Sequence, residues 1–298
     1  MKADTRMELN LDTVLTPPRP AATVVLLRDA PAGLEVFLMK RHSLSDVLGG
    51  AYVFPGGKVD PADAELDMAV HGDQPAAVLQ AALGEPGISE TTAAALHVAA
   101  LREAFEESGV LFAQGTVPAQ PAAQAAALLR EGRGFNAVLA QMGLRLQTRA
   151  ILPWSRWITP VRPSVMNKRF DTRFFVAAVP GGQVARHDDF ETTDSIWLSP
   201  REALRQYWAG QIELAPPQIM SLAHLARHSA VDSVLTAARE RRPPVIQPES
   251  FDDNGERMIC YPGDERHTVR EAALPGPTRL FYRNKRFEPL CGFEGLFS

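Results

Sequence analysis

The sequence is poor in cysteine and has no long apolar run. Its 298 residues include two cysteines, Cys260 and Cys291, which lie far apart and form no C-x-x-C motif. Two isolated thiols indicate neither a structural zinc site nor a disulfide framework, so we expect both to be reduced. No stretch approaches the roughly 18 apolar residues of a membrane-spanning helix, and no apolar segment follows the polar N-terminus. We therefore expect neither a membrane span nor a signal peptide.

The sequence also lacks an excess of positive charge. Its formal net charge is −4 and its isoelectric point is near 6.0. This balance argues against a general nucleic-acid or membrane-surface binder. The 45% hydrophobic and 22% charged content is ordinary for a globular chain able to bury a sizeable core. We expect a cytoplasmic protein, and the Ala- and Arg-rich composition favours a bacterial source. Any phosphate site should then be a local basic pocket.

Three glutamates are predicted to share one stripe of a helix. Glu103, Glu106 and Glu107 are spaced i, i+3 and i+4, so their side chains point the same way. Clustered carboxylates repel one another unless a hard cation neutralises them, and Mg2+ and Mn2+ prefer oxygen ligands. Gly109 offers a helix C-cap. The stripe predicts a Mg2+ or Mn2+ site, and the alternative is a solvated helix face.

A glycine-containing segment, residues 54–60, lies upstream of this stripe. Together the two segments resemble the Nudix hydrolase signature G-x5-E-x7-R-E-U-x-E-E-x-G-U, where U is apolar. Gly57 matches the first glycine, and the second half, from Arg102 to Val110, matches without exception. The first half departs, because Asp63 stands where the signature has Glu. The interval from Gly57 to Arg102 is also about 31 residues longer than in the unbroken motif, so the box is split by an insertion.

A split box is similar to the layout of the Nudix branch that contains the animal peroxisomal coenzyme A diphosphatases. Segments 154–160, 169–175, 197–200 and 216–218 resemble that branch in order and spacing. Many CoA-cleaving Nudix enzymes carry a further motif before the glycines. This sequence keeps the spacing of that motif, with Leu38, Arg41, Gly50 and Phe54 in register. However, Asp46 occupies a position where that motif has Arg, which reverses a charge that could meet phosphate.

The resemblance implies a Nudix α/β/α sandwich with a mixed sheet, an insertion within the box and a C-terminal extension. It also implies Mg2+- or Mn2+-dependent hydrolysis of CoA or acyl-CoA to 3′,5′-ADP and (acyl-)4′-phosphopantetheine. The reversed charge at Asp46 keeps ADP-ribose, NADH and dinucleoside polyphosphates open as alternative substrates. A non-catalytic nucleotide sensor is a further alternative, which the intact Arg-Glu and Glu-Glu pairs disfavour. A homodimer is left open.

The resemblance also assigns roles to individual residues. The predicted metal ligands are the Gly57 carbonyl (with Gly56 as its rival), Glu103, Glu106 and Glu107. Arg102 would orient a ligand carboxylate and pair with Asp63, or with Asp60 or Glu65 in its place. Glu191, with Asp188 and Asp189 as rivals, would add a ligand or base. The predicted substrate-binding residues are Arg41, Lys58, Arg169 and Phe170. Trp154, Trp157 and Phe174 are further candidates for stacking on adenine, and Arg156, Lys168 and Arg173 for binding phosphate.

Hydrophobic periodicity and turn residues predict the organisation of the chain. We expect a flexible arm over residues 1–19, the Nudix domain over 20–240 with its insertion at about 61–92, and an extension over 241–298. The predicted strands are 21–28, 34–40, 51–54, 151–159, 170–179 and 195–198. The predicted helices are 75–83, Thr91 or Thr92 to about 108, 118–142 with a break near 132–134, 200–207, and 216–239. We expect the insertion to shape the substrate pocket or a subunit contact.

Overall fold

The computed structural model describes residues 9–42, 48–114, 121–188, 192–253 and 255–298. The strands are β1 Arg19–Ala30, β2 Gly33–Arg41, β3 Tyr52–Val53, β4 Gly56–Lys58, β5 Ala113–Gln114, β6 Arg145–Leu146, β7 Leu152–Ile158, β8 Phe170–Ala178, β9 Thr192–Leu198, β10 Val245–Ile246, β11 Glu249–Asp253, β12 Glu256–Cys260, β13 Arg279–Arg283 and β14 Arg286–Glu288. The helices are α1 Pro61–Glu65, α2 Met68–His71, α3 Ala76–Leu83, α4 Glu90–Ser108, α5 Pro121–Arg130, α6 Phe135–Met142, α7 Pro200–Trp208, α8 Pro216–Leu225 and α9 Val231–Glu240.

The centre of the fold is a mixed β-sheet. Its described strands run in the order β10-β7-β8-β1-β2-β3, with β4 also paired to β1 and β9 to β2. Strands β1 and β8 are parallel, whereas β1 and β2 form an antiparallel hairpin. Side chains alternate between the two faces of a strand, and β1 is apolar on both: Val24 and Leu26 belong to one core, Val25 and Leu27 to the other. The sheet is therefore covered by helices on both faces, which confirms the predicted α/β/α sandwich.

Helix α4 covers one face and carries the glutamate stripe. Its N-cap is Ser89, whose side chain accepts a hydrogen bond from the Thr92 backbone N–H. The prediction that Thr91 or Thr92 begins the helix was therefore wrong, because the serine hydroxyl already satisfies this free backbone donor. The helix ends as predicted at Gly109, which is in the left-handed conformation. The cap fixes where the stripe stops relative to the sheet.

Helices α7, α8 and α9 cover the opposite face. The single helix predicted over 216–239 is in fact two, since α8 ends at Leu225 and α9 begins at Val231. No glycine or proline marks this break. Instead the β1–β2 hairpin intervenes: Asp29 accepts a hydrogen bond from the Val231 N–H, and the Ser229 carbonyl accepts one from Leu34. A tertiary contact thus supplies the helix start that local sequence does not signal.

The insertion within the box folds into short helices that pack on α4 rather than forming a separate unit. Helix α3 lies between Pro75 and Gly84, close to its predicted position. After it, Glu85 receives bidentate hydrogen bonds from Arg173 and an ion pair from Arg156. Asp171 pairs with both arginines. This buried network ties the insertion to strands β7 and β8.

The C-terminal extension forms a four-stranded antiparallel sheet, β11 to β14. It packs on the helices of the second face, where Ile259 and Phe287 share a core with residues of α7 and α8. The Tyr207 hydroxyl donates to the Phe287 carbonyl and accepts from the Phe287 N–H. The extension is thus attached to the sandwich by both apolar packing and hydrogen bonds. The predicted domain boundary at residue 240 stays a prediction.

The predicted N-terminal arm lies only partly within the described residues. Residues 9–18 run along segment 161–164, where the Asn10 N–H donates to the Ser164 carbonyl and the Val14 N–H to the Val161 carbonyl. Nothing in the described part of the chain has the length and apolarity of a membrane-crossing helix.

Candidate active site

Arg102 is the hub of the site. Its guanidinium donates two hydrogen bonds to Asp63, at 2.9 and 3.0 Å, and one to the Lys58 carbonyl at 3.0 Å. It also donates to Glu103 at 2.8 Å and to Glu106 at 2.9 Å. Burial lowers the pKa of Arg102, but the Asp63 hydrogen bonds and the neighbouring carboxylates raise it by more, so the net pKa lies above its ordinary value. Arg102 therefore stays charged and holds the stripe to the insertion.

Asp63 performs the pairing expected of the signature glutamate. Its side chain is only 1% exposed, and it also accepts a hydrogen bond from the Asp60 N–H at the start of α1. Asp60 itself is 62% exposed and lies 3.8 Å from Arg102, which makes it a weaker partner. The insertion that begins here thus places the shorter Asp close enough to replace Glu.

Two carboxylates of the stripe meet the glycine loop. Glu107 accepts a hydrogen bond from the Gly56 N–H at 2.7 Å, and its other oxygen lies 3.8 Å from the Arg41 guanidinium. Glu103 lies so close to the loop that a Cβ atom on Gly57 would be 2.6 Å from its carboxylate carbon. The absence of a side chain at Gly57 is therefore a packing requirement that leaves room for the Glu103 carboxylate.

Glu106 is the outermost of the three glutamates. Its side chain is 36% exposed and is bonded to Arg102. Burial raises the pKa of Glu106 above its ordinary value, although the Arg102 guanidinium opposes the shift. Among the described residues, no three His, Cys, Asp or Glu side chains are grouped closely enough to hold a metal ion. A metal site formed by all three glutamates stays a prediction.

The donor chemistry of the site nevertheless suits a hard divalent cation. The carboxylates of Glu103 and Glu107 line one cavity together with Gly56 and Gly57. The glycine loop lies against the Glu103 carboxylate, so backbone carbonyl and carboxylate oxygens, the ligand types of hard cations, lie close together. These residues therefore fit Mg2+ or Mn2+ in ligand type.

The cavity beside these carboxylates has a volume of about 690 Å3, within the range typical of small-molecule sites. Its lining includes the glycine loop and two residues of the stripe, Glu103 and Glu107. Further lining residues come from the β7–β8 connection, the start of α8 and the C-terminal extension. The lining residues outside the box include Trp157, Val165, Met166, Lys168, Phe174, Pro217, Gln218, Ser250 and Ile259. The cavity is thus lined by both charged and apolar side chains.

Three of the four predicted substrate-binding residues lie at this cavity. Arg41, Lys58 and Phe170 line it, and so do two of the other aromatic candidates, Trp157 and Phe174. Trp154 is instead buried in the core beneath Arg241.

Arg169 has a different environment. It is buried, and its guanidinium donates to the carbonyls of Thr159 and Thr16. Arg156 and Arg173, also predicted as phosphate ligands, are engaged by Glu85 and Asp171. These arginines therefore hold the scaffold, because carboxylates and carbonyls of the chain already occupy their donors.

The insertion does not shape the cavity in the way we predicted. The lining includes Asp60 but no residue from 61 to 92. The contribution of the insertion is indirect, since Asp63 holds Arg102 and Glu85 anchors the sheet. A subunit contact through the insertion stays a prediction.

The predicted extra carboxylate, Glu191, lies outside the described residues, as does its rival Asp189. The other rival, Asp188, accepts a hydrogen bond from the Thr192 hydroxyl at 2.9 Å.

Sequence reasoning missed part of the cavity wall. Gln218, Ser250 and Ile259 line the cavity, although the latter two belong to an extension without a recognisable motif. Segment 216–218 carried the resemblance, but no role was assigned to Gln218. Only the tertiary packing of the extension on α8 brings these residues to the site.

Among the buried histidines of the described residues, two have a lowered pKa. His97 is 1% exposed, its Nδ1 lies 2.8 Å from the Ala93 carbonyl, and burial lowers its pKa to about 4. His224 packs on Trp154 with ring centroids 4.7 Å apart, and burial lowers its pKa to about 3. Both are therefore neutral parts of the core near neutral pH.

Known proteins resemble this chain in sequence and in fold. The chain is 28% identical over 274 residues to acyl-coenzyme A diphosphatase NUDT19 of Gallus gallus, covering 75% of this chain and 72% of that protein. It is 26% identical over 264 residues to putative nudix hydrolase 7 of Caenorhabditis elegans, covering 88% and 78%. The crystal structure of a NUDIX hydrolase from Alicyclobacillus acidocaldarius superposes with a TM-score of 0.60 at 28% identity, covering 75% of this chain and 97% of that one.

These relatives come from animals and from a bacterium, so they leave the predicted bacterial source undecided. Residues 13–225 match the family model described as the NUDT19 Nudix domain, and this match covers most of the chain. This match confirms the resemblance inferred from the split box. The chain therefore belongs to the NUDT19 Nudix domain family of Nudix hydrolases.

Proposed function

We propose that the protein hydrolyses the diphosphate bond of CoA or acyl-CoA and releases 3′,5′-ADP and (acyl-)4′-phosphopantetheine. The observation that carries the proposal is that Glu103 and Glu107 line a cavity of about 690 Å3. The named activity of the acyl-coenzyme A diphosphatase relatives supports the choice of substrate.

In this proposal Glu103, Glu106 and Glu107 would hold Mg2+ or Mn2+, with the carbonyl of Gly57 as a further ligand. Such a cation, when bound, neutralises charge on the phosphoryl oxygens and lowers the pKa of a bound water. A water oxygen attacks one phosphorus, the P–O–P bridge breaks, and a carboxylate accepts the water's proton. That carboxylate is one of the stripe glutamates or Glu191. Arg102 keeps the stripe oriented through its charge-assisted hydrogen bonds.

The remaining cavity residues would bind the two halves of the substrate. Arg41 and Lys58 would contact the diphosphate, since both line the cavity beside the glycine loop. Phe170 would stack on the adenine. Arg169 is not proposed as a phosphate ligand, because the Thr159 and Thr16 carbonyls accept its hydrogen bonds.

The test is a panel of substrates given to the purified protein with Mg2+ or Mn2+, with products identified by chromatography and mass. The panel contains CoA, acetyl-CoA, ADP-ribose, NADH and diadenosine polyphosphates. A parallel set with chelator, and one with Glu107→Gln, control for metal dependence and for contaminating enzymes.

Release of 3′,5′-ADP from CoA is the expected result. Cleavage of the other compounds alone would replace CoA with an ADP-ribose-like or dinucleotide substrate. Equilibrium binding of a nucleotide with no turnover of any compound would favour the sensor alternative.

A further inference from the structure

Several polar side chains of the cavity wall are buried, and Gln218 is one of them. Gln218 lines the cavity and is only 6% exposed. Its Oε1 atom is buried and has no hydrogen-bond partner in the described part of the chain. A buried acceptor in this state is costly to the folded protein. Rotation of the carboxamide about its last torsion would turn this acceptor toward the cavity, where a ligand donor would remove that cost.

Local sequence explains why Gln218 has this position. Helix α8 begins with Pro216 and Pro217, which have no N–H groups that would need partners at a helix start. Gln218 is therefore the first residue of α8 that follows this rigid start. Its neighbour Ile219 is fully buried, and the helix is packed along its whole length. The backbone that carries the carboxamide is consequently well fixed.

The cavity around Gln218 is completed by a part of the chain outside the matched family domain. The family match ends at residue 225, whereas Pro248, Ser250 and Ile259 of the extension line the cavity. Val165 and Met166, from the β7–β8 connection, add further apolar surface. This region therefore offers apolar surface together with the unsatisfied acceptor of Gln218, which suits a chain of methylene groups interrupted by amides.

We propose that Gln218 selects the pantetheine half of the substrate by accepting a hydrogen bond from one of its amide N–H groups. This inference rests on the proposed function. Pantetheine has two secondary amides separated by methylene groups, so it offers both the missing donor and the apolar surface. Adenosine-containing compounds without pantetheine lack a chain of methylene groups joined by secondary amides. Gln218 is then a specificity-determining residue, and Met166 and Ile259 provide apolar contacts for the same half.

The first test compares the wild-type enzyme with Gln218→Met, which keeps the length of the side chain but removes the acceptor. Ser221→Ala is the matched control, because Ser221 is buried on the same helix but does not line the cavity. The measurements are KM and kcat for CoA, and inhibition constants for the two product halves, 4′-phosphopantetheine and 3′,5′-ADP.

We expect Gln218→Met to raise the inhibition constant of 4′-phosphopantetheine and the KM for CoA about tenfold, the scale of one lost hydrogen bond to a buried group. The inhibition constant of 3′,5′-ADP should change less than about twofold. Ser221→Ala should change none of the measured constants by more than about twofold. The melting temperature of the ligand-free variant should not fall, because the substitution removes an unsatisfied buried acceptor. An unchanged constant for 4′-phosphopantetheine, or equal changes for both halves, would overturn the inference.

A second test needs no variant. Wild-type enzyme is given 4′-phosphopantetheine analogues in which one or the other amide nitrogen is methylated. One analogue should bind about tenfold more weakly than the parent. Equal binding of the parent and both analogues would overturn the role of Gln218 while CoA hydrolysis continues. Failure of the wild type to cleave CoA would instead overturn the proposed function, and this inference with it.

Discussion

Arg102 donates two hydrogen bonds to the two carboxylate oxygens of Asp63, although the residues are 39 positions apart. This pair closes the split box, because it joins the first residues of the insertion to the glutamate-bearing helix. The same guanidinium reaches Glu103 and Glu106. The orientation of two predicted metal ligands therefore depends on one buried ion pair.

Asp63→Asn should weaken both stability and activity. It leaves the Arg102 charge buried beside a neutral amide, which we expect to cost about 3 kcal/mol of unfolding free energy and to lower kcat roughly tenfold through the loosened stripe. Urea denaturation and CoA turnover would measure the two effects. Asp60→Asn is the control, since Asp60 is 62% exposed and lies 3.8 Å from Arg102. Equal effects of the two variants would contradict the assignment of Asp63 as the partner.

Glu107→Gln and Glu106→Gln should each lower kcat by at least ~100-fold, the scale for loss of a metal ligand or base. Their folding should be preserved, because Glu106 is 36% exposed and an amide oxygen at position 107 can still accept the hydrogen bond from the Gly56 N–H. Steady-state turnover at saturating Mg2+ checks the prediction. Glu90→Gln, at the exposed start of the same helix, should keep the wild-type rate. A near-normal rate in both stripe variants would mean that the chemistry lies elsewhere.

Gly57→Ala should impair activity more than stability. The added methyl group would meet the Glu103 carboxylate, the movable end of a long side chain, so the protein can fold while that carboxylate is displaced. We expect at least a ~10-fold fall in kcat/KM, the consequence of misplacing one reacting group. Gly181→Ala is the control, since a methyl group at that position would meet no other part of the described chain within 4 Å. A fully active Gly57→Ala enzyme would refute the packing requirement.

Glu85→Gln should destabilise the protein by about 3 kcal/mol, because it leaves two arginine charges at a buried site with one carboxylate, Asp171. Glu85 is 9% exposed and Arg173 is 8% exposed. Chemical denaturation measures the loss. Glu202→Gln removes an exposed ion pair with Arg205 on α7, and the denaturation midpoint of this variant should match that of the wild type. A similar midpoint for Glu85→Gln would show that the network does not hold the insertion.

His97 should make the protein sensitive to acid. Its pKa is lowered from 6.5 to about 4 by burial, so the folded state binds its proton less readily than the unfolded state. His97 does not reduce the free energy of unfolding above pH 6.5. Below that pH the free energy of unfolding falls as the pH drops toward 4. At pH 5 the loss from this residue alone is roughly 2 kcal/mol.

His97→Leu should flatten the dependence of unfolding free energy on pH between 7.5 and 4.5. Denaturation series at several pH values, compared with the wild type, would measure the slope. His224 keeps part of the slope, because burial lowers its pKa to about 3 as well. An unchanged slope in His97→Leu would contradict a neutral, buried His97.

The sequence alone determined what depends on local spacing. The stripe of Glu103, Glu106 and Glu107 follows from helical periodicity, and the end of α4 follows from the conformational freedom of Gly109. The β1–β2 hairpin and α3 also lie close to their predicted positions, because turn residues and prolines act within a few residues. The Nudix fold could be predicted for the same reason, since its signature is a set of short spacings.

Tertiary structure decided which distant groups meet. The sequence offered Asp60, Asp63 and Glu65 as partners of Arg102, and only packing of the insertion on α4 selects Asp63. It likewise directs Arg156 and Arg173 to Glu85 rather than to a substrate phosphate. The break between α8 and α9 arises from hydrogen bonds with a hairpin near the other end of the chain.

The cavity wall is the clearest case of this division. Gln218 and the extension line one cavity with the stripe, although residue 259 is more than 150 positions from Glu103. No local pattern encodes such an encounter, because it depends on how the extension buries its apolar face against α7 and α8. Local spacing thus determined the chemical groups of the site, and long-range burial decided what surrounds them.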